Sequence, residues 1–313
     1  MAAGPLTDLR LAPSDDIAAS DLASVTAPAP PRQVTVARAV TRAGKGLHTG
    51  RVGRVTVRPA PADHGIVFAR GGQTVPAVWS RRVSQPLCTS LRFPDGTLAR
   101  TVEHLMAALS ADGIDNALVE LDGEELPIFN GSATPWCEAL DEAGRTSLPA
   151  RRQAIQILEV VEHRHGAKVV RIEPSDRFSL QVSIALKHFG PLTWRGPVTA
   201  DTFRGEIAPS RSFGRLQWAV PAKIYGMVKR DPPLLRGANF GSTAVLWRGS
   251  VLGGMTVPDE PVRHRALDVI GDLALAGAPL LGHVTAEHPG HEVNQAFLAA
   301  LMRDTKSWTL VDL

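Results

Sequence analysis

The feature that most limits what this chain can fold into is an order of elements that occurs twice. In the first half, Thr97 to Ala111 has helical periodicity, with Val102, Leu105, Met106 and Leu109 on one face and Gly113 as a stop. A strand follows over Asn116 to Leu121 and closes at the turn Asp122-Gly123. A second helix runs from Ser132, a good N-cap, to about Ala143, where Gly144 ends it. In the second half the same order returns. A helix spans Pro261 to Ala276, with proline in its first turn and Gly277 after its end. A strand follows over Gly282 to Ala286, and then a helix over Gly290 to Met302.

Strand-like runs precede each set: Arg54 to Arg58 and Gly65 to Phe68 in the first half, then Ile155 to Val161, Lys168 to Ile172 and Ser179 to Leu186 in the second, with Thr243 to Trp247 later. Leu192 to Ala208 reads as irregular, and about Gln217 to Gly241, with Pro221, Pro232, Pro233 and Gly237, gives no clean pattern. The expectation is a duplicated α+β unit with a boundary near Ala150. The first domain covers 33–150 and the second 151–313, after a disordered lead-in over 1–32 that is rich in Ala, Pro, Ser and Asp.

Bulk properties remove several function classes. The chain has 313 residues, 44% hydrophobic and 21% charged, which fits a globular protein of about two domains. A net charge of +3, with basic residues scattered rather than interleaved with aromatics, suits an anionic small ligand and not nucleic acid. No apolar run reaches the roughly 20 residues of a membrane-spanning helix, so any membrane contact is expected to be peripheral. Two cysteines make no disulfide framework, and the N-terminus lacks the pattern of a secretory signal, so a cytoplasmic location is expected; a monomer is the default expectation, which no motif decides.

Three short patterns carry chemistry. His264 and Asp268 lie four apart on one helical face, with Asp272 a further turn along. Imidazole and carboxylate suit Zn²⁺, which in hydrolytic sites takes three protein ligands and keeps an open position. By itself such a pair is also what a surface ion pair looks like. Glu103-His104 on the first helix point about 100° apart, so one can bind a metal while the other reaches a water as general base. His291 starts the last helix, where a protonated imidazole needs a carboxylate partner, and Asp272 can supply it. There is no His-Glu-x-x-His motif, which excludes the common zinc-protease arrangement.

Many further motifs, in order, resemble one family. These are Gly46-Leu47-His48-Thr49-Gly50, Arg58-Pro59-Ala60-Pro61 with Gly65-Ile66-Val67-Phe68, and Cys88-Thr89-Ser90-Leu91. Thr101-Val102-Glu103-His104-Leu105, Gly113-Ile114-Asp115-Asn116-Ala117 and Glu125-Leu126-Pro127-Ile128 with Gly131-Ser132-Ala133 follow. Val262 to Asp268, Ile270 to Leu273 and Gly290-His291 with Asn294 complete the set. Over about residues 33–303 the chain resembles the UDP-3-O-acyl-N-acetylglucosamine deacetylases, which carry out the committed step of lipid A biosynthesis.

The resemblance implies an α+β fold in two domains, a β-α-α-β sandwich of duplicated units with the site at their junction. It implies an acyl-chain insert near 217–241. It implies His104, His264 and Asp268 as ligands of Zn²⁺ (Fe²⁺ could occupy the same site) and Glu103 as general base. Ser212 would supply a hydroxyl to the oxyanion. His291, held by Asp272, would protonate the leaving amine. Arg265, Cys88 and His48 would bind the substrate, a UDP-linked acylated amino sugar.

Three departures from the family pattern stand near the site. Arg265 stands where the family has Lys, which puts a planar fork in place of a point charge. Asn130 stands where it has Asp, and Phe240-Gly241-Ser242-Thr243-Ala244 lacks an Asp and an Asn. These keep two other readings open: a zinc amidase on another N-acylated amino sugar, and a non-catalytic binder of a lipid precursor.

Overall fold

The structure is a computed structural model, and it describes residues 31–217, 221, 225 and 232–313. Two sheets form its outer layers. The first has five strands in the order Val40–Lys45, Val52–Arg58, Ala117–Leu121, Ile66–Arg70, Gln73–Pro76. The alternation read at Arg54 to Arg58 holds: Val55 and Val57 are buried, while Arg54 and Arg58 face solvent. The second sheet has seven strands, with Leu280–Glu287 paired on one edge to Lys168–Pro174 and, in parallel, to Phe178–Leu186 and Gln153–Ile157.

Each half contains the same crossover. Ile66–Arg70 runs parallel to Ala117–Leu121 with a helix between them, and Phe178–Leu186 runs parallel to Leu280–Glu287 with a helix between them. This is the duplication that the element order predicted, and the fold is α+β with a helical layer between two sheets.

Four helices of nine residues or more fill that layer among the described residues: α1 (Glu103–Ala111), α2 (Thr134–Ala143), α3 (Glu260–Leu273) and α4 (His291–Arg303). All of α3 is buried except Arg263 and Arg265. A helix so enclosed is packed on nearly every side. α1 crosses it at Gly271, where a side chain would meet the Glu103 carbonyl oxygen at 2.1 Å. One continuous apolar core joins both sheets and the helices. Across the halves, Arg204 clamps Asp112 with Nε at 2.9 Å and Nη2 at 2.6 Å, and Asp141 with Nη1 at 2.7 Å.

Several expected bounds change. The helix expected from Thr97 begins at Glu103, because Leu98–Arg100 pairs as a strand and Thr101 takes φ 58°. A β-branched residue in the left-handed region is strained. Its hydroxyl donates to buried Glu125 Oε1 at 3.0 Å, and the turn it makes starts α1 at Glu103. Ser132 is not the helical N-cap. Its hydroxyl donates to Asn130 Oδ1 at 2.8 Å, and the helix begins at Thr134. The run Ile155 to Val161 is two strands, Gln153–Ile157 and Val161–His165.

The stretch Leu192 to Ala208, read as irregular, contains the strand Gly190–Pro197 and a helical turn over 200–207. The strand Arg32–Val36 pairs with Arg145–Arg151, so residue 32, expected in the lead-in, is part of a sheet. Residues 1–30, and 218–231 apart from 221 and 225, lie outside the described residues. They hold most of the expected lead-in and the centre of the expected insert.

Candidate active site

The first turn of α1 and the middle of α3 face each other. His104 on α1 and His264 and Asp268 on α3 offer three donor atoms that all lie within 4.8 Å of one another. The two imidazoles meet edge to face with centroids 5.2 Å apart. All three residues are buried.

Their remaining hydrogen bonds fix which atoms are free. His264 Nδ1 sits 3.1 Å from the Ser210 carbonyl oxygen, an acceptor only, so Nδ1 carries the proton and Nε2 is bare. That Nε2 points at Asp268 Oδ1, 3.5 Å away. The other Asp268 oxygen accepts from Arg265 Nη1 at 2.9 Å. Burial and the neighbouring His264 hold His104 down at about 3, and burial also lowers His264, so both imidazoles are neutral. Burial raises Asp268, but His264, His291 and Arg265 outweigh it and hold the carboxyl at about 2. Two neutral imidazoles and one carboxylate, oriented by second partners and open on one side, fit a divalent cation such as zinc.

Next to them stand a further carboxyl, Glu103, and a further imidazole, His291. Glu103 is the first residue of α1. Its Oε2 accepts from the Thr89 backbone N–H at 3.0 Å, and its Oε1 lies 3.9 Å from His291 Nε2. Burial pushes Glu103 up to about 8, against the pull of His291. Burial alone would lower His291, but Asp272, Asp268 and Glu103 outweigh it and raise it to about 10.

Asp272 is fully buried and accepts from four donors. His291 Nδ1 is 3.0 Å away, Asn294 Nδ2 2.8 Å and Gln295 Nε2 3.1 Å, and the fourth is the Thr89 hydroxyl. Held by these donors, the carboxylate fixes the His291 ring in one orientation.

A cavity of about 460 Å³ opens over these groups, lined by Glu103, His104, His264, Asp268 and His291. Ser212 and Arg265 are also in its wall. Arg265 is engaged there with Asp268, and its guanidinium lies 4.9 Å over the Phe213 ring. Cys88 and His48 are buried behind the wall and do not line it. Burial raises the Cys88 thiol to about 12.

Sequence reasoning assigned no role to Thr89, Asn294, Gln295 or Glu125. Thr89 touches both Glu103 and Asp272, and Glu125 accepts from the backbone of His48 and Thr49 at 2.7 Å each. All four fall inside or beside the motifs that carried the resemblance, and that was their only signal.

The departures near the site resolve locally. Asn130 Oδ1 accepts from the Ser132 N–H at 3.1 Å and from its hydroxyl, work that needs a carbonyl oxygen and no charge. In the 240–244 segment, Asn239 Oδ1 accepts from the N–H groups of Gly241 and Ser242 and closes the turn.

The family described as LpxC, UDP-3-O-acyl N-acetylglycosamine deacetylase, matches residues 33–303. The chain belongs to this deacetylase family. It is 37% identical to the UDP-3-O-acyl-N-acetylglucosamine deacetylase of Syntrophotalea carbinolica, over 90% of this chain and 91% of that one. It is 38% identical to the deacetylase of the same name from Phenylobacterium zucineum, over 88% and 95%. The one from Anaeromyxobacter dehalogenans is 38% identical over 89% and 90%. The family match spans the first sheet, all four helices and every strand of the second sheet except Trp308–Asp312, so it takes in every residue of the cluster. No helix among the described residues is long and apolar enough to cross a membrane.

Proposed function

We propose that the chain hydrolyses the N-acetyl group of a UDP-3-O-acyl-N-acetylglucosamine, releasing acetate and the free amine, with zinc held by His104, His264 and Asp268. The observation that carries this reading is the convergence of those three donors, from two helices, beside Glu103 and the His291–Asp272 pair. Zinc, when bound, supplies Lewis acidity that acidifies a water and polarises the amide carbonyl.

Glu103, in the cavity wall, acts in its ionised form as the base that takes the proton from the attacking water. As the water oxygen bonds to the carbonyl carbon, negative charge grows on the carbonyl oxygen, and the hydroxyl of Ser212, a residue of the cavity wall, donates to it. His291 carries a proton at Nε2 and delivers it to the nitrogen as the C–N bond breaks. Asp272 keeps the ring charged and aimed. Arg265, bonded to Asp268, sets that ligand and borders the substrate. Cys88 and His48 enter as supports of the wall.

The test is turnover of the acylated UDP-sugar by the zinc-loaded protein. Glu103→Ala is expected to keep the metal and lose turnover by about 10²–10⁴-fold. A wild-type rate in that variant would remove Glu103 from the chemistry. Arg265 favours a second comparison, since its fork replaces a point donor: faster turnover of substrates lacking the 3-O-acyl chain would point to a different amino sugar. A purified protein that takes up no zinc would revive the non-catalytic reading.

A further inference from the structure

Outside the cluster itself, the most fully satisfied buried charge among the described residues is Glu260, and nothing in the chemistry above uses it. It is the first residue of α3 and is 0% exposed. Its Oε1 accepts from the Arg211 backbone N–H at 2.9 Å, from Arg211 Nε at 2.8 Å and from the Thr256 hydroxyl at 2.7 Å. Its Oε2 accepts from Arg211 Nη2 at 3.0 Å and from the Thr256 N–H at 3.3 Å. Arg211 Nη2 also donates to the Gly254 carbonyl at 2.8 Å. A side-on arginine–carboxylate pair of this kind fixes geometry as well as charge.

The pair's place in the fold gives it a use. Glu260 and His264 are four apart on α3, so they share one helical face. The extended segment Ser210–Ser212 lies along that face. The Ser210 carbonyl accepts from His264 Nδ1, and the Arg211 N–H donates to Glu260 one turn earlier. Two successive turns of the helix therefore grip the carbonyl and the N–H of one peptide group, the one that joins Ser210 to Arg211.

The segment is also fixed from the far side. The Ser212 N–H donates to the Gly131 carbonyl at 2.7 Å, and the Ala244 N–H donates to the Ser212 carbonyl at 2.7 Å. The Ser210 carbonyl is the group that determines the His264 tautomer. Its position along the helix is set by Arg211, the next residue, and hence by Glu260.

We infer that the Glu260–Arg211 pair is a positioning device for the metal centre. It registers the 210–212 segment on α3 so that the Ser210 carbonyl holds His264 with Nε2 bare and Ser212 stays in the cavity wall. The pair touches neither metal nor substrate. The inference rests on the reading of His264 as a metal ligand.

The experiment measures zinc affinity by competition with a chelator, with thermal unfolding and circular dichroism as checks of the fold. Glu260→Gln keeps the side chain's shape and one acceptor but loses the ion pair. It is expected to weaken zinc binding by about 10–100-fold, the usual effect of removing a partner of a metal ligand. Arg211→Lys keeps the charge and the backbone N–H but loses the fork, and is expected to fall between Glu260→Gln and wild type.

In ¹⁵N-edited spectra of the zinc-loaded protein, the His264 Nδ1–H signal should exchange faster with water in Glu260→Gln than in wild type. A merely structural role would lower the unfolding temperature and leave both readings unchanged. Folded Glu260→Gln and Arg211→Lys proteins with wild-type zinc affinity and an unaltered His264 signal overturn the inference. His264→Ala separates the two levels: if it binds zinc as wild type does, the ligand assignment itself is wrong, whatever Glu260 does.

Discussion

Gly271→Ala tests the contact on which the metal cluster depends. Gly271 lies on α3 opposite the start of α1, and an added methyl would sit 2.1 Å from the Glu103 carbonyl oxygen and 3.0 Å from the Glu103 Cα. Carbon and carbonyl oxygen come no closer than about 3.3 Å in favourable contacts, so the helices must separate by about 1.2 Å. The obstacle is backbone, not the end of a side chain, and cannot rotate away. Separation carries His104 on α1 away from His264 and Asp268 on α3, whose donor atoms now span 4.8 Å at most. Metal–ligand distances tolerate about 0.2 Å.

The stability change should be smaller than the change at the metal. Alanine in a helix gains about 1 kcal/mol over glycine, and overpacking costs about 1–3 kcal/mol. The net is a loss of about 0–2 kcal/mol by urea denaturation. Zinc affinity, measured by chelator competition, should fall at least about 10-fold. Turnover at saturating zinc should fall by about 100-fold, the usual result of misplacing reacting groups by about 1 Å. A variant that gains about 1 kcal/mol of stability and keeps native zinc affinity would show that the α1–α3 crossing does not set the ligand spacing.

Further tests address other parts of the molecule. His291→Ala should keep zinc and lose about 10²–10⁴-fold in kcat, and an unchanged kcat would remove it as the proton donor. Arg204→Ala leaves buried Asp112 with Arg145 alone, 2.9 Å away, and should cost about 2 kcal/mol in denaturant titrations.

Removing zinc with a chelator should lower the unfolding midpoint of the wild type and leave that of His104→Ala in place, since only the first has a bound ion to lose. Burial raises the Glu260 carboxyl, but Arg211 and Thr256 outweigh it and keep it below its ordinary 4.5. Its contribution is therefore fully present above pH 4.5 and is lost as pH falls through the lower folded value. Acid unfolding of Glu260→Gln should show a shallower dependence over that window, read from denaturation at a series of pH values.

The doubled order of elements was legible because helical and strand periods leave different marks, and Gly113, Gly144 and Gly277 punctuate them. Some local marks misled. Thr97 to Thr101 kept a helical pattern because its apolar residues are buried in a strand and a strained turn, and spacing does not separate those cases. The strand Gly190–Pro197 was missed because its glycines and prolines read as breaks. The residues of the candidate site were found through short motifs, while Thr89, Glu125 and Glu260 gave no sign of their partners. Thr89 meets Glu103 14 positions away and Asp272 183 away, and the arginine that pairs with Glu260 lies 49 positions away.

What the sequence determined alone was the set of chemical groups and the helices that carry them: His264 and Asp268 share a face by helical geometry, and Glu103 and His104 diverge by the same geometry. Whether the two helices meet was decided by the tertiary structure. It depends on a bare glycine against a backbone carbonyl, a strained threonine at the start of α1, and a second-half segment gripped by α3. Coordination and proton transfer act over a few ångströms, and only packing brings residues 160 or more positions apart to that range.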